Sequence, residues 1–165
     1  MTVDKIYLIG FMAAGKTTVG RQLAHRLGWQ FEDIDDLIER RERATIAEIF
    51  SRHGEAYFRQ AEREILQLLV PIRHVVVATG GGTFADDKNR AIINRDGASV
   101  WLDVPLQDIV ARLPIHAQRP LVTERSALEQ LYRARADSYR QAHVRIAAGQ
   151  LPPPAVVDRI AEAVN

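Results

Sequence analysis

A glycine-bracketed loop close to the amino end constrains this chain more than any other feature. Residues 10–18 read Gly10-Phe11-Met12-Ala13-Ala14-Gly15-Lys16-Thr17-Thr18, directly after the apolar run Ile6-Tyr7-Leu8-Ile9. That run has the character of a parallel strand buried on both faces. The nonapeptide fits G-x-x-x-x-G-K-[ST], a loop that carries the chain from a strand into a helix around a phosphate group. The chemistry calls for these residue types. Backbone N–H groups must turn inward on phosphate oxygens, and glycine leaves room for that. The helix opening near Gly15 adds the partial positive charge of its amino end. Lys16 has the reach for the outer phosphates, and the Thr17 hydroxyl is a hard ligand for Mg²⁺. The same letters can describe an ordinary turn. Here an apolar strand precedes them and Val19, Leu23 and Leu27 follow on one helical face, which decides for a nucleoside triphosphate site.

Composition narrows the class of partner. The chain has 165 residues, enough for one domain with a real core, and a net charge of +1. So small a charge gives no bulk attraction to nucleic acid or to a membrane surface. Cysteine is absent, so disulfides, thiolate metal sites and cysteine nucleophiles are excluded. The first apolar segment is too short to span a membrane and lacks the flanks of a secretory leader. A cytoplasmic monomer is the expectation, with small molecules as its partners.

Strand and helix signals alternate along the chain, which predicts an α/β domain with a mainly parallel sheet. Strands are expected at 6–10, 30–34, 74–78, 99–103 and 144–147. Helices are expected near 16–28, 36–52, 54–70, 86–95, 105–113, 126–142 and 153–164. Thr45-Ile46-Ala47-Glu48 reads as a capping box opening a short helix that ends before Gly54. Phe58, Ala61, Ile65, Leu68 and Leu69 then form an apolar stripe at helical spacing, the mark of a core face. Residues 114–125 carry two prolines and little periodicity, and are expected to form a mobile lid.

Further along lie residues suited to phosphoryl chemistry. Asp33 and Asp35 are two apart at the end of the second expected strand, so their side chains should face the same way. The carboxyl ends of parallel strands form the ligand crevice, where two carboxylates can serve Mg²⁺ and a substrate hydroxyl. Asp36 is the better candidate to cap the helix that follows. Arg59 sits on a helix with Glu55 four residues before and Glu62 three after, the spacing of a surface salt-bridge ladder. Gly80, Gly81 and Gly82 follow the apolar Val75-Val76-Val77-Ala78. Three glycines at a strand's carboxyl end admit a ligand close to the backbone. That third strand lacks the acidic residue that many phosphate-loop enzymes place there, so Asp33 must serve the metal. Arg119 lies in the expected lid, where an arginine can close on a phosphoryl group in transfer. The five histidines show no metal-ligand spacing, and Trp29 and Trp101 are expected to pack.

Taken together, these stretches resemble the shikimate kinases over nearly the whole chain. The resemblance is carried by the loop from Gly10 to Gly20, by Phe31, Asp33, Asp35, Ile38 and Glu39, and by Ile46, Ile49 and Phe50. It continues through Gly54, Glu55, Phe58, Arg59 and Glu62, then Ala78 to Gly82, and Arg119-Pro120-Leu121. It implies a three-layer P-loop domain over 1–165, of the nucleoside-monophosphate-kinase type. Five parallel strands would run in the order 2-3-1-4-5, flanked by helices, with a lid at about 114–125. It also implies transfer of the γ-phosphoryl of ATP to the 3-hydroxyl of shikimate, with Mg²⁺, toward chorismate and the aromatic amino acids.

The resemblance implies roles position by position. Gly10, Ala13, Ala14, Gly15, Lys16, Thr17 and Thr18 would wrap the nucleotide phosphates, Lys16 on the β- and γ-groups. Thr17 would ligate Mg²⁺ and Asp33 would support it through water. Asp35 would receive the substrate hydroxyl and serve as candidate base. Arg59 and Arg135 would clamp the carboxylate while the backbone of Gly80, Gly81 and Gly82 closes the pocket. Arg119 would be the lid arginine and Arg112 would lie against adenine. Three positions depart from the family pattern: Ala13 stands where glycine is common, Arg135-Ala136-Asp137-Ser138-Tyr139 replaces Arg-x-Pro-Leu-Tyr, and 147–151 is less polar. Read without the resemblance, the residues also fit a kinase for another carboxylated metabolite, or a kinase-like module that senses a ligand without turnover.

Overall fold

The computed structural model describes residues 2–114 and 122–165. Five parallel strands form one sheet: β1 (Lys5–Ile9), β2 (Gln30–Asp33), β3 (Val75–Ala78), β4 (Ala98–Asp103) and β5 (Val144–Ala147). Their order is β2-β3-β1-β4-β5, as expected. Tyr7 of the central strand faces Val77 on one side and Ser99 on the other. All five residues of β1 and all four of β3 are buried, which is why Ile6–Ile9 and Val75–Ala78 read as unbroken apolar runs rather than alternating ones.

Helices cover the sheet: α1 (Lys16–Leu27), α2 (Ile34–Glu42), α3 (Ile46–Leu69), α4 (Asp87–Asp96), α5 (Leu106–Arg112), α6 (Val122–Tyr139) and α7 (Pro153–Val164). One face of α1 buries Val19, Leu23 and Ala24, and this helix packs on β2, β3 and α7. The stripe on α3 is core, with Phe58, Ala61, Ile65, Leu66 and Leu69 buried, whereas Leu68 is exposed. No helix among the described residues is long and apolar enough to cross a membrane.

Several boundaries differ from expectation. The helix expected over 36–52 is two helices, α2 and the start of α3, separated at Arg43, whose φ of 54° is left-handed. Thr45 does open the second one, its hydroxyl accepting from the Glu48 N–H at 3.1 Å. That helix ends at Gly54, as expected: α3 is two helices joined across a kink, where Gly54 adopts φ 83° and ψ 175°. Only glycine takes that conformation at little cost. At the other end, α6 begins at Val122, so 122–125 are its first turn and Glu124 suits the positive helix start. The middle of the expected lid, with Arg119, lies outside the described residues.

Candidate active site

The phosphate loop leaves β1 at the carboxyl edge of the sheet and turns into α1. A tight turn is closed by the Ala14 N–H on the Phe11 carbonyl at 3.2 Å, and Gly15 enters the helix at φ 99°. Ala13 adopts φ 59°, a left-handed conformation for a residue with a Cβ. Lys16 folds back over the loop and donates to the carbonyls of Gly10 at 2.5 Å and Phe11 at 3.0 Å. Burial of its ammonium pushes its pKa down to about 8, against the opposing pull of Asp35 and Asp33. A cation held on two neutral carbonyls gains most from an anion. The loop, with Asp33, Asp35, Thr79, Gly80 and Gly81, encloses ≈ 390 Å³ for such a group.

Asp33 joins this loop to the next strand. Its Oδ1 accepts the Asp35 N–H at 2.9 Å and the Asp36 N–H at 3.3 Å, which makes it the cap of α2. The expected capping by Asp36 is thereby corrected: the helix starts two residues earlier than its hydrophobic pattern suggests. The other oxygen, Oδ2, accepts from the Thr17 hydroxyl at 2.8 Å. A hydroxyl and a carboxylate, both hard oxygen donors, fit Mg²⁺ coordinated mainly by water and phosphate. No group of three or more acidic or histidine side chains that could hold a metal occurs among the described residues.

Asp35 does not lie on the strand beside Asp33 but in the first turn of α2. It reaches the same crevice because the helix begins at once. Its Oδ1 is buried and has no hydrogen-bond partner among the described residues. Burial first, then the carboxylates of Asp33 and Glu62, push its pKa up to about 6, with Lys16 pulling the other way. A Cβ on Gly80 would lie 2.9 Å from that oxygen. The bare glycine therefore sets how closely the third strand's loop approaches the carboxylate.

Two arginines converge on the far side. Arg59, on α3 just past the kink, pairs with Glu62 at 3.2 Å and with Glu55 at 3.5 Å. Arg135 comes from the penultimate turn of α6. A Cβ on Gly82 would fall 2.7 Å from both terminal nitrogens of Arg59 and 2.8 Å from Nη1 of Arg135. The two guanidinium groups occupy the space that a side chain there would fill. Between them and Asp35 lies a cavity of ≈ 280 Å³, walled by Phe11, Met12, Ile46, Phe50, Phe58 and Leu131. An apolar cup with two guanidinium forks at one end and a proton acceptor at the other suits a carboxylated ring bearing a hydroxyl.

Arg112 ends α5 and bridges two segments, donating to Ala13 O at 3.0 Å and Gly149 O at 3.2 Å. Beside it, Ala148, Leu151, Pro153 and Val156 line a further cavity of ≈ 460 Å³ that opens onto the phosphate loop. An aromatic base stacking against the guanidinium fits there.

Sequence reasoning missed three contributors. Glu62 is 1% exposed and central to the site, not the rung of a surface ladder. It stands four residues after Phe58 and three before Ile65, on the apolar stripe itself, so that signal was present. Thr83 donates its hydroxyl to Glu62 Oε2 at 2.8 Å and accepts the Gly80 N–H at 3.0 Å. Tyr139 donates to Gly81 O at 2.5 Å, and burial pushes its phenol pKa well up. Neither the Thr83–Glu62 nor the Tyr139–Gly81 contact has a sequence signature, since each joins segments far apart in the chain.

The fold and the site together define a P-loop kinase acting on a small carboxylated molecule. The sequence matches the family model described as shikimate kinase over residues 12–165. It is 42% identical to the shikimate kinase of Sulfurihydrogenibium sp., covering 96% of each chain. Its structure superposes on that of the shikimate kinase from Acinetobacter baumannii in complex with shikimate with a TM-score of 0.91, at 36% identity, covering 99% of this chain and 93% of that one. The crystal structure of the Aquifex aeolicus shikimate kinase gives 0.88 at 35% identity, covering 97% and 95%. The chain belongs to the shikimate kinase family, ATP-dependent enzymes.

Proposed function

We propose that this chain transfers the γ-phosphoryl group of ATP to the 3-hydroxyl of shikimate, releasing shikimate 3-phosphate and ADP. The observation that carries the reading is the buried, unpartnered Oδ1 of Asp35 facing the Arg59 and Arg135 guanidinium groups across a ring-sized cavity. The two arginines hold the substrate carboxylate by paired hydrogen bonds, which fixes the ring and presents one hydroxyl to Asp35. Asp35 orients that hydroxyl and takes its proton as the bond to phosphorus forms. Lys16, freed from its two carbonyls, holds the β- and γ-phosphates, and the loop amides take the remaining oxygens. Thr17 and Asp33 would hold Mg²⁺, which when bound neutralises charge on the phosphates. Arg119, on a lid that ends where α6 begins at Val122, closes on the transferring group, and Arg112 stacks on adenine. In this reading 1–165 is one catalytic domain, working as a monomer in the cytoplasm.

A coupled assay with shikimate, ATP and Mg²⁺ tests the proposal. ADP should form in proportion to shikimate, and omission of Mg²⁺ should abolish turnover. ADP formation with a different carboxylated polyol but none with shikimate would overturn the substrate and keep the site.

A further inference from the structure

We propose that Thr83 is a positioning residue for both ends of the substrate cavity: its hydroxyl ties the Gly80 amide to the Glu62 carboxylate. The proposal rests on the shikimate kinase reading above.

Thr83 opens the short 3-10 turn Thr83–Ala85 and is fully buried. Its Oγ1 accepts the Gly80 N–H at 3.0 Å and donates to Glu62 Oε2 at 2.8 Å. Both partners touch the working groups of the site. Glu62 holds Arg59 through Oε1 at 3.2 Å, with Oε2 3.4 Å from the same nitrogen. Gly80 stands against Asp35, where a Cβ would come within 2.9 Å of Oδ1. One hydroxyl thus links the carboxylate clamp to the proton acceptor.

The chemistry at this point is restrictive. The group must accept from an amide and donate to a carboxylate at once, from a short side chain that is fully buried. A hydroxyl does this and a hydrocarbon does not. Loss of the hydroxyl leaves the Gly80 N–H without its acceptor and takes from Glu62 Oε2 its shortest contact. Buried polar groups left in that state shift to find partners. The carboxylate then turns further toward Arg59 and draws the guanidinium away from the cavity, while the Gly80 loop loses its anchor beside Asp35. Gly80 and Asp35 also border the phosphate cavity, but the Thr83 hydroxyl itself bonds only Gly80 and Glu62, so the larger effect should fall on shikimate and not on ATP.

Thr83→Val keeps the shape and removes the hydroxyl, and Thr83→Ser keeps the hydroxyl and removes a methyl. In steady-state assays Thr83→Val should raise the KM for shikimate roughly tenfold, with the KM for ATP within about twofold of the parent. Thr83→Ser should restore the parent value for shikimate. If Thr83→Val melts below the assay temperature, Thr83→Ala carries the same comparison. Unchanged KM for shikimate in the hydroxyl-free variant, equal rises for both substrates, or failure of serine to rescue would each overturn the positioning role. Those outcomes are distinct from a parent protein that consumes no ATP with shikimate, which overturns the functional reading and this inference with it.

Discussion

The two halves of the site are built in opposite ways. The phosphate half is built mainly on one contiguous loop, from Gly10 to Thr18, whose working parts are mainly backbone amides and a helix end. Asp33, Asp35 and the loop after β3 only border its cavity. The substrate half is assembled from α2, α3, the loop after β3 and α6, and its working parts are side chains that meet only after folding. Asp35, Arg59, Gly82 and Arg135 span a hundred positions of sequence yet converge on one cavity. A contiguous backbone device is local, so its properties are set by residue type in a short window. A dispersed side-chain device depends on helix starts, kinks and buried partners, so it is sensitive to changes that leave the phosphate half intact. Substitutions should therefore separate the two halves cleanly.

The largest expected effect is on the phosphate side. Lys16→Ala should lower kcat by about 10³-fold, because the charge acts on the phosphoryl group in transfer. Stability should not fall. Burial already disfavours the charged form of Lys16, so truncation removes a strained charge, and the melting temperature at pH 7 should equal or exceed the parent's. A folded Lys16→Ala protein with near-parent kcat would remove the loop from the mechanism.

Asp35→Asn should come next, with kcat down by about 10²-fold and ATP affinity unchanged. It also carries a stability signature of opposite sign. The native Asp35 pKa is raised to about 6 from 3.8, so the folded protein binds this proton more tightly than the unfolded chain. Folding stability attributable to this group is therefore lost as pH rises from about 4 to about 6, and stays lost above. Asparagine, always neutral, escapes that loss. The variant should be more stable than the parent at pH 7.5, by about 1–3 kcal/mol, and the gain should vanish below pH 4. Parent activity should decline as pH falls through about 6, as the acceptor becomes protonated. Thermal melts across pH 3.5 to 8 check the first claim and a kcat profile checks the second. A variant that is less stable at every pH would mean that Asp35 is a structural carboxylate.

How much of this was legible follows the same division. The loop and the buried character of β1 and β3 could be read because each rests on local pattern, whereas the sheet order, which no short window holds, was implied by the family resemblance. Asp33 and Asp35 were read as strand neighbours facing one way. The structure instead makes Asp33 the helix cap and Asp35 the first turn, since the Asp33 carboxylate captures two helix amides at once. The right residues reached the right cavity by different backbone geometry. Gly54 reads as a helix end, and its non-helical backbone does divide α3 into two helices across a kink. The bonds from Thr83 to Glu62 and from Tyr139 to Gly81 join segments twenty-one and fifty-eight residues apart. No window of sequence contains such a pair, and only the assembled fold reveals it.

Arg59→Lys probes the substrate half with a smaller change. The charge remains but the planar fork is lost, and an ammonium cannot make the paired contact a carboxylate accepts. The KM for shikimate should rise by roughly 10- to 30-fold, with ATP kinetics unaltered. Glu62 keeps a cation nearby, so the melting temperature should change by only a few degrees. Equal effects on both substrates would show that Arg59 holds α3 in place for the whole site, and the contrast between the halves would weaken.

The smallest expected effect tests the one non-glycine residue of the phosphate loop with a left-handed backbone. Ala13 is left-handed at φ 59°, a conformation that costs a residue with a Cβ about 1–2 kcal/mol. Ala13→Gly removes that cost but gives the unfolded chain more freedom, which takes back about 0.5–1 kcal/mol. The balance favours glycine slightly, by at most about 1.5 kcal/mol, or a rise in melting temperature of no more than about 3–6 °C at this chain length. The Ala13 carbonyl that accepts from Arg112 is unchanged by the substitution, so the KM for ATP should stay within about twofold. If the loop geometry instead depends on the stiffness that alanine lends it, Ala13→Gly will raise the KM for ATP without raising the melting temperature. That result would show that the phosphate half, too, relies on a side chain to hold its shape, and that the division between a backbone device and a side-chain device is one of degree.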